Sequence, residues 1–397
     1  MSTCVTKQLQ GGCLVADRRI GVIMHGATGR MGYNQHLVRS ILALRDQGGI
    51  VLGNGDRLVP EPILVGRDGD KLRRLAEKHA IDRWSTDINA VLADPSAAIF
   101  FDAGTTRMRA GLLGRAIDAG KHVYCEKPVA EDLHIAVALA RKARSAGIKH
   151  GVVQDKLFLP GLLKLAMLRD SGFFGRILSV RGEFGYWVFE GDWQVAQRPS
   201  WNYRRADGGG IILDMLCHWR YVLDNLFGAV KSVSCLGATH IPQRFDERGE
   251  PYAADADDAA YATFELEGGV IAQINSSWAV RVKRDDLVTF QVDGTHGSAV
   301  AGLHRCFTQH RVNTPKPVWN PDEPQTLDFQ AGWDEVPDNT KVENGFKAQW
   351  AMFLRHVAED GPWPYGLEEG AKGVQLATLG LKSWRERRWL DVPSLEI

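Results

Sequence analysis

The first 150 residues alternate short apolar runs with amphipathic stretches, and this alternation restricts the fold of the chain more than any other feature. Strands that alternate with helices predict right-handed βαβ crossovers, which build a parallel, doubly wound sheet. The predicted strands are Ile20–His25, Pro62–Val65, Ala98–Phe101, His122–Cys125 and His150–Val153. The predicted helices between them include Lys71–His79, Met108–Ala119 and Leu133–Ala146.

Aromatic residues change in frequency near residue 150. Residues 1–150 hold five of them, whereas residues 151–397 hold the other thirty, including eleven of the twelve Trp. We therefore predict an α/β protein of two domains, 1–150 and 151–397. The second domain is expected to be α+β, with a large, mainly antiparallel open sheet and two closing helices. Its predicted strands are Arg176–Tyr186, Lys231–Leu236, Ala260–Leu266, Val270–Trp278 and Leu287–Val292, and the closing helices are Asn344–Glu359 and Leu367–Arg388.

A glycine-rich turn, Gly26-Ala27-Thr28-Gly29-Arg30-Met31-Gly32, follows the first predicted strand. Glycines let the backbone approach a pyrophosphate closely, and the start of the next helix offers free N–H groups. The spacing is GxxGxxG rather than GxGxxG, but the position between a first strand and a helix is the one that dinucleotide binding requires. We predict an N-terminal Rossmann domain; a purely structural turn is the alternative. The predicted contacts are Gly26, Thr28, Gly29, Arg30, Met31 and Gly32.

The end of the second predicted strand bears on the choice of nucleotide. There the sequence reads Gly66, Arg67 and Asp68. NAD sites usually have a carboxylate at this strand end, whereas a small residue followed by an arginine suits the 2′-phosphate of NADP. We expect NADP to be preferred over NAD, with Arg67 as a phosphate ligand and Asp68 as a helix cap. Two alternatives stay open: Arg67 is a solvated surface residue, or Asp68 turns inward and serves NAD.

Two further motifs carry chemistry. Glu126-Lys127-Pro128 follows a strand end that faces the cofactor crevice, where a lysine can stabilise a developing alkoxide. Asp214 and His218 follow Gly208-Gly209-Gly210 and are i and i+4 in a helical pattern, so they share one face. A carboxylate beside an imidazole orients the ring and raises its pKa toward that of a general base. We predict that His218 is the base and that Asp214 orients it or holds a neighbouring hydroxyl.

These motifs, Glu126-Lys127-Pro128 and the GGGxxxDxxxH pattern at 208–218, resemble the Gfo/Idh/MocA oxidoreductase family, which includes glucose-fructose oxidoreductase and inositol dehydrogenase. The resemblance covers nearly the whole chain. It implies hydride transfer between a nicotinamide and the hydroxyl or carbonyl carbon of a sugar, inositol or sugar derivative. It also implies that Lys127, Asp214 and His218 are catalytic.

Other parts of the chain depart from the family pattern or extend it. The loop GATGRMG is similar to that of dihydrodipicolinate reductase, and Thr105-Thr106-Arg107-Met108-Arg109 stands where family members often have Pro followed by His. Thr105, Glu126 and Lys127 complete the expected cofactor contacts. The family's open sheet often forms the oligomer interface, and the long strands between Ala260 and Val292 predict such a face. We therefore expect a homodimer or homotetramer.

Candidates for substrate binding are mainly aromatic and basic. Aromatic faces pack on sugar C–H surfaces, and Arg or Lys binds hydroxyls or a carboxylate. Asp155 and Lys156 follow the fifth predicted strand, where the family contacts its substrate. For the aromatic candidates, packing in the core of the second domain is the alternative. The predicted residues are Lys156, Tyr186, Trp201, Tyr203, Arg204 and Asp214, with Trp187 and Trp193 in the same stretch.

Charge and hydropathy exclude other classes of function. Lys plus Arg is 48 and Asp plus Glu is 48, so a net charge of zero gives no field to recruit nucleic acid or an anionic membrane. No apolar run approaches the roughly 18 residues of a membrane span, and residues 1–12 lack the apolar core of a signal peptide. His304, Cys306 and His310 lack the second pair that a zinc site needs, so no metal is expected. We predict a cytoplasmic enzyme with a small sugar-like substrate.

Two alternative functions stay open. A redox-neutral glycosidase or epimerase would use tightly held NAD for a transient oxidation. A non-catalytic regulator would bind a dinucleotide and a partner protein without chemistry, although the presence of Lys127, Asp214 and His218 argues against it.

Overall fold

The computed structural model describes residues 16–284, 286–316, 320, 322–324, 326–339 and 341–397. The N-terminal segment considered above lies outside the described residues. The helices are α1 (Gly32–Leu42, continued by Ala43–Asp46), α2 (Gly69–Lys78), α3 (Ile88–Ala93), α4 (Thr106–Asp118), α5 (Leu133–Ser145), α6 (Pro160–Asp170), α7 (Ile211–Leu226), α8 (Gly345–Glu359) and α9 (Leu367–Glu386). The strands of the first half are β1 (Asp17–His25), β2 (Ile50–Val51), β3 (Arg57–Val65), β4 (Arg83–Ser85), β5 (Ala97–Asp102), β6 (His122–Cys125) and β7 (His150–Val152). Those of the second half are β8 (Ile177–Phe184), β9 (Val230–Ala238), β10 (Gln243–Phe245), β11 (Pro251–Ala253), β12 (Ala259–Leu266), β13 (Ile271–Ser277), β14 (Val288–Gly294), β15 (Gly297–Ala301), β16 (Cys306–His310), β17 (Asp334–Glu335) and β18 (Leu390–Asp391).

The first sheet has the order β2–β3–β1–β5–β6–β7, with β4 beside the end of β3. All pairs are parallel except β2 with β3. The chain goes from β1 to β3 on one side and continues to β5 on the other, so the order of the strands reverses between β1 and β5. Ligands of such sheets bind beyond the carboxyl ends of the strands at this switch point. The prediction of a doubly wound α/β domain is confirmed.

Strand β3 is longer than its predicted counterpart, which began only at Pro62. It starts at Arg57 and pairs with β1 through both Pro60 and Pro62. The outer edge of β3 is paired by β2 only at residues 57–58 and by β4 only from Ile63. Since no strand lies beside the two prolines on that edge, their missing N–H groups cost no ladder hydrogen bond there.

The second sheet has the order β17–β16–β15–β14–β8–β13–β12–β9–β18. All of its pairs are antiparallel except β8 with β13, as predicted for a mainly antiparallel sheet. Its buried face packs on α6, α7 and α9 in one apolar core. The turn at Glu267-Gly268-Gly269 joins β12 to β13 as the hairpin pattern predicts.

Of the last two helices, α8 packs on the first sheet and α9 packs on both sheets. Trp350, Phe353 and Leu354 of α8 lie in the core formed by α1 and the first sheet. The start of α9 packs against α5 in the core of the first half of the chain, whereas its middle packs on α7 and β9. Residues near the end of the chain therefore hold the two sheets together. Within the described ranges, no helix is both long and apolar enough to cross a membrane.

Candidate active site

The glycine-rich turn connects β1 to α1 at the switch point. Gly26 has a φ of +78°, and a Cβ at Gly32 would lie 2.2 Å from the Gly26 carbonyl oxygen, so both positions require glycine. Met31 makes no side-chain cap, and the Tyr33 N–H donates to the Gly29 carbonyl oxygen at 2.7 Å, so α1 continues directly from the turn. Thr28, Gly29, Arg30 and Met31 are exposed on this turn. The loop thus fits a dinucleotide pyrophosphate.

Thr105 lies on the opposite side of the same crevice, directly before α4. It is exposed and makes no side-chain cap; its carbonyl oxygen accepts from the Met108 N–H at 3.1 Å, and the N–H groups of Thr106 and Arg107 at the start of α4 are left without a side-chain cap. The predicted cofactor residues of the two loops are therefore placed around one crevice.

Glu126 is held from within the protein. Its Oε1 lies 2.8 Å from His36 Nε2, and its Oε2 accepts from the Lys127 backbone N–H at 3.2 Å. His36 Nδ1 accepts from Trp350 Nε1 at 3.1 Å, so the proton on the neutral ring lies on Nε2 and is donated to Glu126. The position of Glu126 at the crevice therefore depends on α1 and α8. Sequence reasoning missed His36, for which no local signal exists.

The end of β3 presents Arg67 and Asp68 as expected from the sequence. Asp68 caps α2, accepting from the Lys71 backbone N–H at 3.0 Å, and this bond holds the pKa of its carboxyl below the ordinary value. Arg67 is exposed, and among the described residues its guanidinium makes no hydrogen bond or ion pair. The carboxylate is thus engaged as a cap, whereas the arginine is available to a ligand.

Asp214 lies in the first turn of α7, four residues after Gly210. Gly210 has a φ of +123°, and its missing Cβ leaves room for Asp257 Oδ1, so the chain can turn into the helix only with glycine there. Asp214 Oδ1 accepts from Lys127 Nζ at 2.6 Å, and the Asp214 carbonyl oxygen accepts from the same ammonium at 3.1 Å. The ion pair thus joins Lys127 from the first half of the chain to Asp214 from the second half.

Arg198 joins this pair from the loop before α7. Its NH1 lies 2.9 Å from Asp214 Oδ2, and its guanidinium stacks over Phe189 and Trp278. In the described part of the chain, Asp214 Oδ2 and Arg198 Nε have no hydrogen-bond partner. Burial raises the pKa of Asp214, but the charges of Lys127 and Arg198 outweigh it and hold that pKa far below its ordinary value. Sequence reasoning missed Arg198 because no motif marks it.

The predicted pairing of Asp214 with His218 is wrong. Both residues lie on α7, but the Asp214 carboxylate is directed to Lys127 and Arg198. His218 Nδ1 instead lies 2.7 Å from the Tyr221 hydroxyl, which donates to Asp155 Oδ1 at 3.1 Å. The same Asp155 oxygen lies 3.6 Å from His218 Nδ1. The orienting carboxylate therefore comes from the end of β7, not from α7.

The hydrogen bonds around Tyr221 fix the tautomer of His218. The Tyr221 hydroxyl has one proton, which it donates to Asp155, and its oxygen accepts from the Lys156 backbone N–H at 3.2 Å. His218 Nδ1 must then carry a proton and donate it to the same oxygen, which leaves a lone pair on Nε2. Burial and the charges of Lys127, Lys156 and Arg198 lower the pKa of His218 well below its ordinary value. This corrects the expectation of a raised pKa; the ring is neutral and can accept a proton.

Lys127 stays charged. Burial lowers its pKa, but the charge of Asp214 outweighs burial and raises that pKa. An ammonium group has three donors, and only two of them are used by the described residues, both on Asp214. One N–H of Lys127 is therefore left for an oxygen of a ligand.

The predicted substrate residues have different surroundings. Lys156 bonds the Asp155 carboxylate at 2.8 Å, so it belongs to the cluster around His218. Tyr203 does not belong there: its side chain is 0% exposed, its hydroxyl donates to the Phe189 carbonyl, and its ring packs on Trp278. For this residue the core-packing alternative is correct.

The other aromatic and basic candidates lie on the surface around the loop before α7. Trp201 is exposed, Arg204 stacks on Tyr252, and Tyr186 packs against Trp187. None of these contacts joins them to Lys127 or His218. Among the described residues, no group of three or more His, Cys, Asp or Glu side chains is placed to hold a metal ion.

Comparison with known proteins places this geometry in context. Residues 162–300 match the model of the GFO/IDH/MocA C-terminal domain. The chain is 60% identical over 382 residues to a D-xylose dehydrogenase of Paenarthrobacter nicotinovorans, covering 95% of this chain and 98% of the relative. It is 24% identical to a levoglucosan dehydrogenase of Pseudarthrobacter phenanthrenivorans, over 81% of this chain and 86% of that protein. A solved structure of a levoglucosan dehydrogenase in complex with NADH superimposes with a TM-score of 0.77 at 20% identity, covering 96% of this chain and all of the other.

Proposed function

Because the chain belongs to the Gfo/Idh/MocA oxidoreductase family, we propose that it oxidises D-xylose with a nicotinamide dinucleotide. It is an oxidoreductase that acts on the CH–OH group of a sugar, and the relative named D-xylose dehydrogenase matches it over nearly its whole length. The single observation that carries the mechanism is the Nε2 lone pair of His218, held by Tyr221 and Asp155 beside the charged Lys127.

His218 acts as the general base. Its Nε2 takes the proton of the sugar hydroxyl, and the Nδ1 proton stays on the Tyr221 oxygen. The imidazolium that forms is stabilised by the Asp155 carboxylate, which lies 3.6 Å from Nδ1. Such a positioned base contributes about 10²–10⁴ to the rate.

Lys127 stabilises the same oxygen. Its free N–H donates to the hydroxyl oxygen as negative charge develops there, while Asp214 fixes the ammonium through two acceptors. When a nicotinamide dinucleotide is bound, it would supply the acceptor for the carbinol hydrogen as hydride. Lys127, Lys156 and Arg198 act on the buried His218 as positive charges, and the carboxylates of Asp155, Asp214 and Glu126 balance them in number.

The ion pair of Asp214 with Arg198 positions Lys127. Asp214 Oδ2 lies 2.9 Å from Arg198 NH1, while its Oδ1 and its carbonyl oxygen accept from the Lys127 ammonium. Asp214 Oδ2 and Arg198 Nε are fully buried, so neither atom is open to a substrate hydroxyl in this arrangement. We assign both residues to the positioning of Lys127, and direct binding of substrate by Asp214 stays a prediction.

Absorbance at 340 nm tests the proposal. We expect NADH or NADPH to accumulate with D-xylose, with kcat/KM at least tenfold above that for D-glucose, myo-inositol or levoglucosan. Turnover of D-xylose without net formation of reduced nucleotide would instead indicate the redox-neutral alternative. If D-xylose gave no reaction with either nucleotide while another sugar was oxidised, the substrate assignment would be wrong.

A further inference from the structure

A cavity of about 370 Å³ lies between the glycines before α7 and the end of α9. Sites for small molecules usually measure roughly 300–1,000 Å³, so this one suits a small ligand. None of the steps described above uses it, and among the described residues no hydrogen bond or ion pair joins its lining to Lys127 or His218. The lining residues are Arg205, Gly209, Leu213, Asp257, Leu381, Trp384, Arg385 and Arg387.

Two arginines of this lining are available to a ligand. Arg385 and Arg387 are exposed, and among the described residues neither side chain makes a hydrogen bond or an ion pair. The acidic residue between them, Glu386, is paired with Arg388, whose Nε and NH2 lie 2.8 Å and 2.7 Å from Glu386 Oε2. The two charges at the end of α9 are therefore not balanced by a carboxylate of their own helix.

Arg205 adds a third guanidinium group from the loop before α7. Its NH2 donates to the Asp255 carbonyl at 3.1 Å, and its backbone N–H donates to Asp255 Oδ1 at 2.7 Å, so the residue is held in place. Basic residues are common at the end of a helix, where they complement its dipole, and this would explain Arg385 and Arg387 alone. It does not explain a third arginine that reaches the same cavity from another segment.

Asp257 gives the cavity a hydrogen-bond acceptor. The residue is 4% exposed, its Oδ2 accepts from the Ile212 N–H at 2.7 Å, and its carbonyl oxygen accepts from the Ile211 N–H at 2.9 Å. In the described part of the chain Asp257 Oδ1 has no hydrogen-bond partner, and this atom is not fully buried, so it opens into the cavity that the residue lines. A carboxylate oxygen in this position suits a hydroxyl group, which donates to it.

Trp384 and two leucines form the apolar part of the lining. The Trp384 indole packs on β9, where a Cβ at Gly237 would lie 2.5 Å from its Cε3. Leu213 and Leu381 are partly buried and pack on the core of the second sheet. The C–H groups of a sugar chain pack on such a surface of aromatic and aliphatic carbon.

We propose that this cavity binds a sugar acid, a small carboxylate that carries several hydroxyl groups. The carboxylate pairs with Arg385 and Arg387, while a hydroxyl donates to Asp257 Oδ1. Phosphate would pair with the arginines but would be repelled by Asp257, and a neutral sugar would leave the two cations of α9 unpaired. Binding requires neither a nucleotide nor oxidation, so this site goes beyond the proposed function.

Titration calorimetry with two five-carbon acids tests the assignment: D-xylonate, and pentanoate, which has the carboxylate but no hydroxyl. We expect wild type to bind D-xylonate at least tenfold more tightly than pentanoate. Arg385→Gln should weaken D-xylonate binding about tenfold or more, as for the loss of one charge-assisted bond. Arg388→Gln, a matched control at a paired arginine, should change it less than twofold. Lys127→Ala should leave it unchanged, because Lys127 belongs to the candidate active site.

Asp257→Asn tests the hydroxyl contact. The amide keeps an oxygen for the Ile212 N–H but turns its NH₂ group to the cavity, so we expect this variant to bind D-xylonate about as weakly as pentanoate. The thermal midpoint is measured as well, because Asp257 bonds the first turn of α7. Arg385→Gln changes an exposed side chain and tests the site even where Asp257→Asn does not fold.

Three results would overturn the proposal. The first is that wild type binds neither acid. The second is equal affinity of wild type for the two acids, which would indicate a site for anions without recognition of hydroxyls. The third is unchanged D-xylonate binding in Arg385→Gln together with its loss in Lys127→Ala, which would place the acid in the candidate active site. Oxidation of D-xylose by wild type is measured separately, so failure of the proposed function is distinguishable from failure of this site.

Discussion

Each functional side chain of the candidate site is held by a partner that is distant in the sequence. Lys127 bonds to Asp214, and Glu126 bonds to His36. His218 is connected to Asp155 through the Tyr221 hydroxyl. The fold alone brings these pairs together, so their residue types could be predicted from motifs but their pairing could not. The i+4 spacing of Asp214 and His218 predicted a shared helix face, yet two cations attract the carboxylate more strongly than a neutral imidazole does.

Arg67 decides the nucleotide preference in our interpretation. It is exposed at the end of β3, whereas Asp68 is used as the cap of α2. We predict that Arg67→Ala raises KM for NADP about ten- to a hundredfold, the effect of one charge-assisted phosphate contact, and leaves KM for NAD nearly unchanged. Steady-state kinetics with both nucleotides tests this, with Arg74→Ala on α2 as a control. Equal effects on the two nucleotides would remove Arg67 from the phosphate site.

The lowered pKa of His218 links stability to pH. Below pH 6.5 the unfolded chain takes up a proton on this residue while the folded chain does not. The contribution of His218 to the free energy of unfolding is therefore intact above pH 6.5 and is lost as the pH falls toward the pKa of the folded state. Urea unfolding at pH 7.5 and 5.5 should show that wild type loses on the order of 1 kcal/mol more than His218→Asn over this interval. Equal losses in the two proteins would mean that folded His218 titrates normally.

At the scale of elements, periodicity predicted nearly every helix and strand that positions the site. The strand His122–Cys125 has the predicted bounds, and α4, α5 and α8 differ from prediction by one or two residues at their ends. The first half of β3 was not predicted because it contains proline. A proline is tolerated within a strand only where no neighbouring strand needs its N–H group, and the sequence does not show which neighbours are absent. The prediction that Tyr203 binds substrate was wrong for a similar reason. The sequence does not show whether an aromatic residue in a loop contacts substrate or packs in the core.

Tyr221 shows what closer attention to helix spacing could have found. It lies three residues after His218 on α7, a spacing at which side chains are neighbours. Arg198 offers no such signal, since it reaches Asp214 from an irregular loop and is held by stacking on aromatic rings. Local geometry was therefore open to prediction within α7, but not between α7 and its surroundings.

At the scale of the whole molecule, the outer face of the second sheet exposes three large apolar side chains among polar ones. Leu236, Tyr261 and Ile271 are 47%, 42% and 46% exposed on β9, β12 and β13, and Leu236 and Tyr261 are paired in register. We predict that this face joins two or four chains. Light scattering at micromolar concentration should give a multiple of 44 kDa, and Tyr261→Lys together with Ile271→Lys should reduce it to the monomer. A wild-type monomer would contradict the prediction.

The central claim is that His218 removes the substrate proton while Lys127 stabilises the oxygen. The most direct test is kcat with D-xylose, measured together with the nucleotide dissociation constant and the thermal midpoint for His218→Ala, Lys127→Ala and the double variant. We predict that His218→Ala lowers kcat by about 10²–10⁴ with nucleotide affinity and midpoint nearly unchanged. The double variant should lose less than the product of the single losses, because both residues act on one oxygen. A His218→Ala enzyme with near wild-type kcat would show that the base lies elsewhere.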